Sequence, residues 1–224
     1  MNIAGFVKTS FVDYPGKIAS VVFTQGCNLR CGYCHNPGLL DIRNTTTCIP
    51  AEEVFEFLFK RKGMIEAVVL SGGEPTLQKN LEGFIAELKA MSLLVKLDTN
   101  GTNPQSLRRL IDTKLLDFIA MDLKAPLNRY EKITKTNPLD VAAIRQSAEI
   151  IKASGLAYEF RTTFCPELEA ENIPMIILDF DLSSNYVVQS CRGPELKKLS
   201  KDKRDLKRLA ECSEENLFLA FRGF

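Results

Sequence analysis

Ala19-Ser-Val-Val-Phe-Thr24 leads through Gln25-Gly26 directly into Cys27-Asn-Leu-Arg-Cys31-Gly-Tyr-Cys34. The first part is an apolar run, too short for a buried helix, and it predicts a buried strand that ends at a glycine. The second part gathers three of the seven cysteines of the chain with the spacing C-x3-C-x2-C. A strand that runs directly into a cysteine loop is therefore the starting point for both the fold and the chemistry.

Similar apolar runs recur along the chain and alternate with helical patterns. Further strands are predicted at residues 67–71, 93–97, 118–122, 157–163 and 186–189, and helices at 51–62, 80–91, 104–113, 141–154 and 195–208. Such alternation predicts parallel strands covered by helices. A complete eight-stranded barrel takes about 250 residues. The 224 residues therefore favour a partial (β/α)6 barrel, a TIM-like α/β fold, with one domain over residues 1–224. A doubly wound open sheet is the alternative, and residues 166–185 match no clear pattern.

Polar and glycine residues follow several predicted strands. They include Gly72-Gly73-Glu74, Asp98-Thr99-Asn100-Gly101 and Asp122-Leu123-Lys124. In both candidate folds, the loops after the carboxyl ends of parallel strands carry the chemistry. We therefore expect these residues and the cysteine loop to meet at one edge of the sheet.

Composition excludes several classes of protein. Lysine and arginine number 29 against 28 aspartate and glutamate residues, so the net charge of +1 gives no reason to expect nucleic acid or an anionic membrane as a partner. No apolar run approaches the ~18 residues of a membrane span, and the first five residues lack the basic start of a signal peptide. We expect a cytoplasmic protein, where sparse cysteines serve as ligands, nucleophiles or core residues rather than disulfides.

Cys27, Cys31 and Cys34 have the spacing of a metal centre. A short loop with two glycines lets three thiolates surround one small centre, and three ligands leave one coordination position open, as in catalytic sites. His35 is a candidate fourth ligand for a zinc ion, although adjacent residues seldom chelate one tetrahedral ion together. Three cysteines that merely pack in the core are the remaining alternative.

Six motifs together match one known pattern. They are Asp13-Tyr14-Pro15-Gly16, Phe23-Thr24-Gln25-Gly26-Cys27, Tyr33-Cys34-His35-Asn36-Pro37, Ser71-Gly72-Gly73-Glu74-Pro75, Asp98-Thr99-Asn100-Gly101 and Met121-Asp122-Leu123-Lys124. With the three cysteines, they resemble the radical S-adenosylmethionine (SAM) superfamily over nearly the whole chain. Within it, they are similar to the activating enzymes of glycyl radical enzymes, namely those of anaerobic ribonucleoside-triphosphate reductase and pyruvate formate-lyase.

The resemblance implies a role for each matching residue. Cys27, Cys31 and Cys34 would hold one [4Fe–4S] cluster, whose fourth iron binds SAM and passes it one electron. The residues implied to bind SAM are Tyr33, His35, Gly72, Gly73, Glu74, Thr99, Asn100, Asp122, Lys124 and Arg161. Glu74 is the expected acceptor for the ammonium group of SAM, and Arg161 the expected clamp on its carboxylate.

The resemblance also implies partners. The protein substrate would be a glycyl radical enzyme, near which the family places the Asp13 loop, and a flavodoxin or ferredoxin would donate the electron. Cys48, Cys165, Cys191 and Cys212 are interpreted as structural, so a single cluster is expected. Two alternatives remain: a radical SAM enzyme that acts on a small molecule such as a deazapurine precursor, and a non-enzymatic iron–sulfur or zinc protein.

Overall fold

The computed structural model describes residues 1–41, 43, 48–191 and 219–222. Within these residues one sheet contains eight strands. They are β1 (Ile3–Ser10), β2 (Ala19–Thr24), β3 (Ala67–Gly72), β4 (Leu94–Thr99), β5 (Phe118–Asp122), β6 (Ala157–Phe164), β7 (Tyr186–Ser190) and β8 (Leu219–Arg222). The strands lie in chain order, β1 is antiparallel to β2, and every later pair is parallel.

Helices connect the parallel strands on one face. They are α1 (Ala51–Lys60), α2 (Leu81–Ala90), α3 (Pro104–Asp112), α4 (Tyr130–Thr134), α5 (Val141–Ala153) and α6 (Asn172–Asp179). Local sequence sets two of their starts. The Asn103 side chain accepts a hydrogen bond from the Ser106 amide before α3, and Asp140 accepts one from the Ala143 amide before α5. Both are preferred residues at the start of a helix because they satisfy an otherwise unpaired amide.

The partial-barrel prediction is confirmed, and the doubly wound alternative is wrong. A doubly wound sheet reverses its strand order at a switch point, whereas β1 to β8 follow the chain without reversal. In the described part of the chain, β1 pairs only with β2 and β8 only with β7, so the two edges do not close on each other. The sheet is therefore an open partial barrel.

Six predicted strands are present, and the sequence interpretation missed two. β1 is an edge strand with three exposed residues in succession, so it lacks the continuous apolar pattern of a buried strand. β8 is only four residues long, and the sequence interpretation passed over the apolar run of residues 217–221 in which it lies. Residues 166–185, which matched no pattern, contain α6. The helix predicted at residues 195–208 lies outside the described residues.

The two faces of the sheet are packed differently. The outer face and the helices share the large apolar core, whereas the inner face has a small cluster of Tyr14, Ala19, Val21, Ala67 and Val69. This inner cluster lies toward the amino ends of the parallel strands. The carboxyl ends of the inner face are left to polar side chains, which form the site described below.

No helix within the described ranges has the length and apolar character needed to cross a membrane.

Candidate functional site

A cavity lies at the carboxyl ends of the parallel strands. Its walls come from the cysteine loop and from the ends of β3 through β7. The lining residues are Cys27, Leu29, Cys31, Tyr33, Cys34, His35, Asn36, Leu40, Ser71, Gly72, Gly73, Asp98, Thr99, Asn100, Asp122, Lys124, Arg161, Thr163 and Gln189. The structure thus brings together every residue predicted for the site except Glu74, although these residues span more than 130 positions of the chain.

The cysteine loop is held from two sides. The Arg30 guanidinium donates to the carbonyls of Cys27 and Leu29 at 2.5 and 2.9 Å, and the Arg30 amide donates to the Thr134 carbonyl at 2.9 Å. The end of α4 therefore fixes the loop, while the Cys34 amide donates to the Cys31 carbonyl at 3.2 Å. These backbone contacts orient the loop independently of any bound group.

The three cysteines are free thiols that are partly buried. Burial raises the pKa of Cys27 to about 11 and raises that of Cys31, while the nearby Lys124 ammonium lowers both and so favours the thiolates that ligate metal. Within the described ranges, no three His, Cys, Asp or Glu side chains lie close enough to hold one metal ion. Three cysteine ligands suit a wider iron–sulfur cluster.

Gly72 and Gly73 press against the start of the cysteine loop. A Cβ atom on Gly73 would lie 2.0 Å from the Gly26 carbonyl oxygen, and one on Gly72, which has a φ of +108°, would lie 2.4 Å from the Thr24 amide. Both contacts are with backbone atoms, which cannot move aside cheaply. Glycine is therefore required here by the close packing of two loops, and both glycines still line the cavity.

Glu74 lies beneath the cavity instead of in its wall, which differs from the sequence expectation. Its carboxylate is fully buried and accepts from the Thr76 amide and hydroxyl, the Thr99 hydroxyl and the Asn100 amide, at 2.6 to 3.1 Å. Burial raises the pKa of Glu74, and these hydrogen bonds lower it. With both oxygens satisfied, Glu74 positions Thr99 and Asn100, which do line the cavity.

Asn100 connects this loop to the cysteines. Its side-chain amide lies 3.8 Å from the Cys27 sulfur and donates to the Asn28 side chain at 3.0 Å, while its oxygen accepts from Thr102. Tyr33 lines the opposite part of the cavity wall, and its hydroxyl is buried without a hydrogen-bond partner in the described structure. Burial raises the pKa of Tyr33 well above its usual range, so the phenol stays neutral.

A group of buried charges forms the floor of the cavity. The Arg161 guanidinium lies 2.9 Å from Asp122 and 3.4 Å from Asp98, and the Lys124 ammonium lies 3.0 Å from Asp122. Burial favours the neutral form of Asp122, but Arg161 and Lys124 outweigh it and hold the pKa of this carboxyl well below its usual range. The group is therefore ionised, with fixed orientations.

Asp98 lines the cavity, as its strand-end motif predicts, although the sequence analysis did not assign it a role in binding SAM. Its Oδ2 accepts from the Ser71 hydroxyl at 3.2 Å, whereas Oδ1 is buried and receives no well-aligned hydrogen bond, although the Lys96 ammonium lies 3.2 Å away. A carboxylate in a cavity wall suits a cationic ligand. Strand parity was the available signal, because Asp98 shares the inner face with Lys96 two positions earlier.

Known proteins resemble this chain at the levels of sequence and fold. A sequence profile of the radical SAM superfamily matches residues 21–179. A Methanocaldococcus jannaschii protein, provisionally named a glycyl-radical enzyme activating enzyme, is 34% identical over 236 residues, which cover 97% of this chain and 95% of that protein. The pyruvate formate-lyase-activating enzyme of Staphylococcus epidermidis is 37% identical over 123 residues, which cover 50% of this chain and 49% of that enzyme.

Among solved structures, SuiB of Streptococcus suis bound to S-adenosylmethionine matches with a TM-score of 0.65 and 16% identity. The match covers 89% of this chain and 48% of SuiB. At this identity the likeness shows the fold alone. The chain spans about half the length of SuiB.

Proposed function

This chain belongs to the radical SAM superfamily, and from that premise we propose that it is an activating enzyme that installs a glycyl radical on a partner enzyme. The observation that carries the proposal is one cavity whose wall combines three free thiols with two carboxylates, Asp98 and Asp122, and fixed cations. The relatives named as activating enzymes support the same reaction, since one of them is similar over nearly its whole length. The proposal treats residues 1–224 as one radical SAM domain.

Cys27, Cys31 and Cys34 would hold a single [4Fe–4S] cluster at this cavity. When bound, the cluster and SAM would supply a 5′-deoxyadenosyl radical, with methionine as the other product of the one-electron cleavage. The chain's own residues bind, orient and shield these groups. Lys124 adds a positive charge beside the thiols. Gly72 and Gly73 let the end of β3 pack closely against the start of the cysteine loop.

Asp98 is the best acceptor for the ammonium group of SAM in this proposal. Asp98 lines the cavity, and its carboxylate is held by Lys96, Arg161 and Ser71, whereas Glu74 lies beneath the cavity with its oxygens already satisfied. The Arg161 and Lys124 cations face the same space and are available to the carboxylate of SAM. Tyr33, His35, Thr99 and Asn100 would complete the SAM wall, with Asp122 orienting both cations.

The proposed substrate is a glycine loop of a larger protein. The sheet is open between its two edges in the described chain, which leaves a side from which a flexible loop can reach the cavity. The radical would take a hydrogen atom from the glycine Cα, giving 5′-deoxyadenosine and a glycyl radical. A flavodoxin or ferredoxin is the proposed electron donor. The near-neutral net charge indicates that docking depends on local contacts instead of overall charge.

Electron paramagnetic resonance with deuterated glycine tests this function. The reconstituted protein, SAM, a reductant and a candidate glycyl radical enzyme should give a stable organic radical. With α-deuterated glycine in the partner, deuterium should appear in 5′-deoxyadenosine and the α-hydrogen splitting should vanish. Deuterium transfer from a small metabolite, with none from any glycyl radical enzyme, would replace this proposal with a small-molecule reaction. Absence of any SAM cleavage would indicate a non-enzymatic iron–sulfur protein.

Glu74→Gln should weaken SAM binding without removing the cluster. The amide places a donor where Glu74 now accepts from the Thr99 hydroxyl or the Asn100 amide, so these wall residues shift. A hydrogen bond to a charged group contributes about 1.5–3 kcal/mol, so we expect the SAM dissociation constant to rise about 10-fold or more. Equilibrium titration with SAM measures the effect, and iron content should stay at the wild-type value.

Glu82→Gln is the matched control for this change. Glu82 lies on α2, is partly exposed, pairs with Arg109 and does not line the cavity. It should leave SAM affinity unchanged. Equal SAM affinity in the Glu74 variant and the wild type would remove Glu74 from any role in positioning the site.

A further inference from the structure

Lys96 is a buried cation below the cavity that no step of the proposed chemistry uses. It lies on β4, and only 4% of its side chain is exposed. Its ammonium lies 3.2 Å from Oδ1 of Asp98 and donates a hydrogen bond of 2.6 Å to the carbonyl oxygen of Asp13. Asp98 belongs to the cavity wall, whereas Asp13 belongs to the loop of residues 11–16 between β1 and β2. One side chain therefore contacts two separate parts of the molecule.

The loop of residues 11–16 enters the inner face of the sheet from the amino ends of the parallel strands. Tyr14 is buried there, with its ring centroid 5.8 Å from that of Phe118. The Ser10 hydroxyl donates to the Asp13 carboxylate and accepts from the amides of Val12 and Asp13. The loop is thus held by Ser10 at one end, by Tyr14 in the inner cluster, and by Lys96 from the strand.

The Lys96 ammonium needs polar or anionic partners because it is buried. A buried charge needs paired groups around it, and its partners here are the Asp98 carboxylate, the Asp13 carbonyl and the face of the Phe118 ring at 5.7 Å. Phe118 also contacts Tyr14 of the loop. A change at Asp98 therefore alters how strongly the Lys96 ammonium binds the Asp13 carbonyl. A change in the loop that moves the Lys96 ammonium alters the positive charge beside Asp98.

We infer that Lys96 is a positioning residue that couples the loop of residues 11–16 to the SAM pocket. The inference rests on the proposed function, because it takes Asp98 as the contact for the ammonium group of SAM. When the ammonium group of SAM contacts Asp98, it shares the carboxylate with Lys96. The Lys96 ammonium then binds the neutral Asp13 carbonyl more strongly. SAM binding therefore tightens the loop, and the loop in turn affects SAM affinity by the same factor.

Amide hydrogen exchange on the anaerobically reconstituted full chain, with and without SAM, tests the coupling. In the wild type, SAM should slow exchange at Asp13 and at Lys17, whose amide donates to the Tyr14 carbonyl at 3.3 Å. Lys96→Met keeps an unbranched side chain, one heavy atom shorter, and removes its charge. It should speed exchange of these amides about 10-fold, weaken SAM binding by a similar factor, and abolish the slowing by SAM.

Two control variants separate coupling from a purely structural role. Ser10→Ala removes a loop contact without touching Lys96 or Asp98, so under the coupling it should speed loop exchange and also weaken SAM binding, whereas a purely structural role of Lys96 would leave SAM affinity unchanged. Ser71→Ala removes a donor to Asp98 Oδ2 on the cavity side, so it should weaken SAM binding and leave loop exchange unchanged. Lys96→Arg keeps a cation and should restore part of both effects.

The outcomes distinguish this inference from the proposed function. A wild type that binds SAM without any change in loop exchange overturns the coupling, and this measurement needs no variant to fold. A Lys96→Met protein that still shows slowing by SAM also overturns it. A wild type that binds no SAM at all instead overturns the proposed function.

Discussion

Replacing Cys31 with alanine should leave the protein unable to hold its cluster. Three thiols are proposed as the only protein ligands to a cluster whose fourth iron binds SAM, so the loss of one leaves two irons open and the cluster unstable. We expect about four irons per chain in the reconstituted wild type and close to none in the variant. Iron analysis and the visible absorption of the cluster measure this, and formation of 5′-deoxyadenosine should fall below detection. Cys27→Ala and Cys34→Ala should behave in the same way.

Cys48→Ala is the matched control for the cluster ligands. Cys48 is an exposed free thiol that does not line the cavity. Its replacement should leave iron content and SAM cleavage at wild-type values. Cys212 lies outside the described residues, and the sequence-based prediction that its replacement is harmless stays a prediction. A protein that binds zinc and never develops an iron chromophore would contradict the cluster assignment.

Arg161→Met should cost the protein about 3 kcal/mol of unfolding free energy at neutral pH. Arg161 is 12% exposed and contacts three carboxylates, those of Asp98, Asp122 and Glu159. Removing one member of a buried charge group costs roughly 3–5 kcal/mol, since its partners stay buried without compensation. We choose the lower end because Lys124 still pairs with Asp122, Lys96 with Asp98, and Arg222 with Glu159. Urea unfolding of the two proteins measures the difference.

The pH dependence of this effect follows from Asp122. Its pKa is lowered in the folded protein, so its contribution to stability is present above the unfolded pKa of about 3.9 and is lost as the pH falls through the lower, folded value. Arg161→Met moves the folded pKa of Asp122 back toward its usual value. The stability gap between wild type and variant should therefore be largest near neutral pH and become smaller below about pH 4.

Arg109→Met is the matched control for Arg161. The Arg109 guanidinium lies 3.0 Å from Glu82, but both side chains are largely exposed, at 61% and 46%. An exposed ion pair of this kind contributes about 1 kcal/mol or less. A drop in stability for the Arg161 variant no larger than for this control would show that the buried charge group does not stabilise the fold. SAM affinity should fall only in the Arg161 variant.

Some of these properties could be predicted from the sequence. Short valine-rich runs that alternate with helical patterns specify parallel strands, because strands buried on both faces need continuous apolar residues. This pattern was sufficient for the six central strands, but it left a doubly wound sheet as the alternative to the partial barrel, and only the strand order decided between the two. The spacing of Cys27, Cys31 and Cys34 within eight residues was sufficient for the candidate cluster loop, since a short loop keeps its ligands together whatever surrounds it.

Other properties were decided only by the tertiary structure. Strand β1 lies at one edge of the sheet with three exposed residues in succession, so pairing with β2 fixes it more than its own apolar pattern does. Glu74, next to the glycine pair in sequence, accepts its hydrogen bonds from Thr99 and Asn100 of another loop and so lies beneath the cavity. Asp98 forms an ion pair with Arg161, and Lys96 donates to the Asp13 carbonyl, although both partners are distant in the chain. Local spacing determines which groups can share one loop, but the partners of a buried charge are chosen by the packing of strands far apart in sequence.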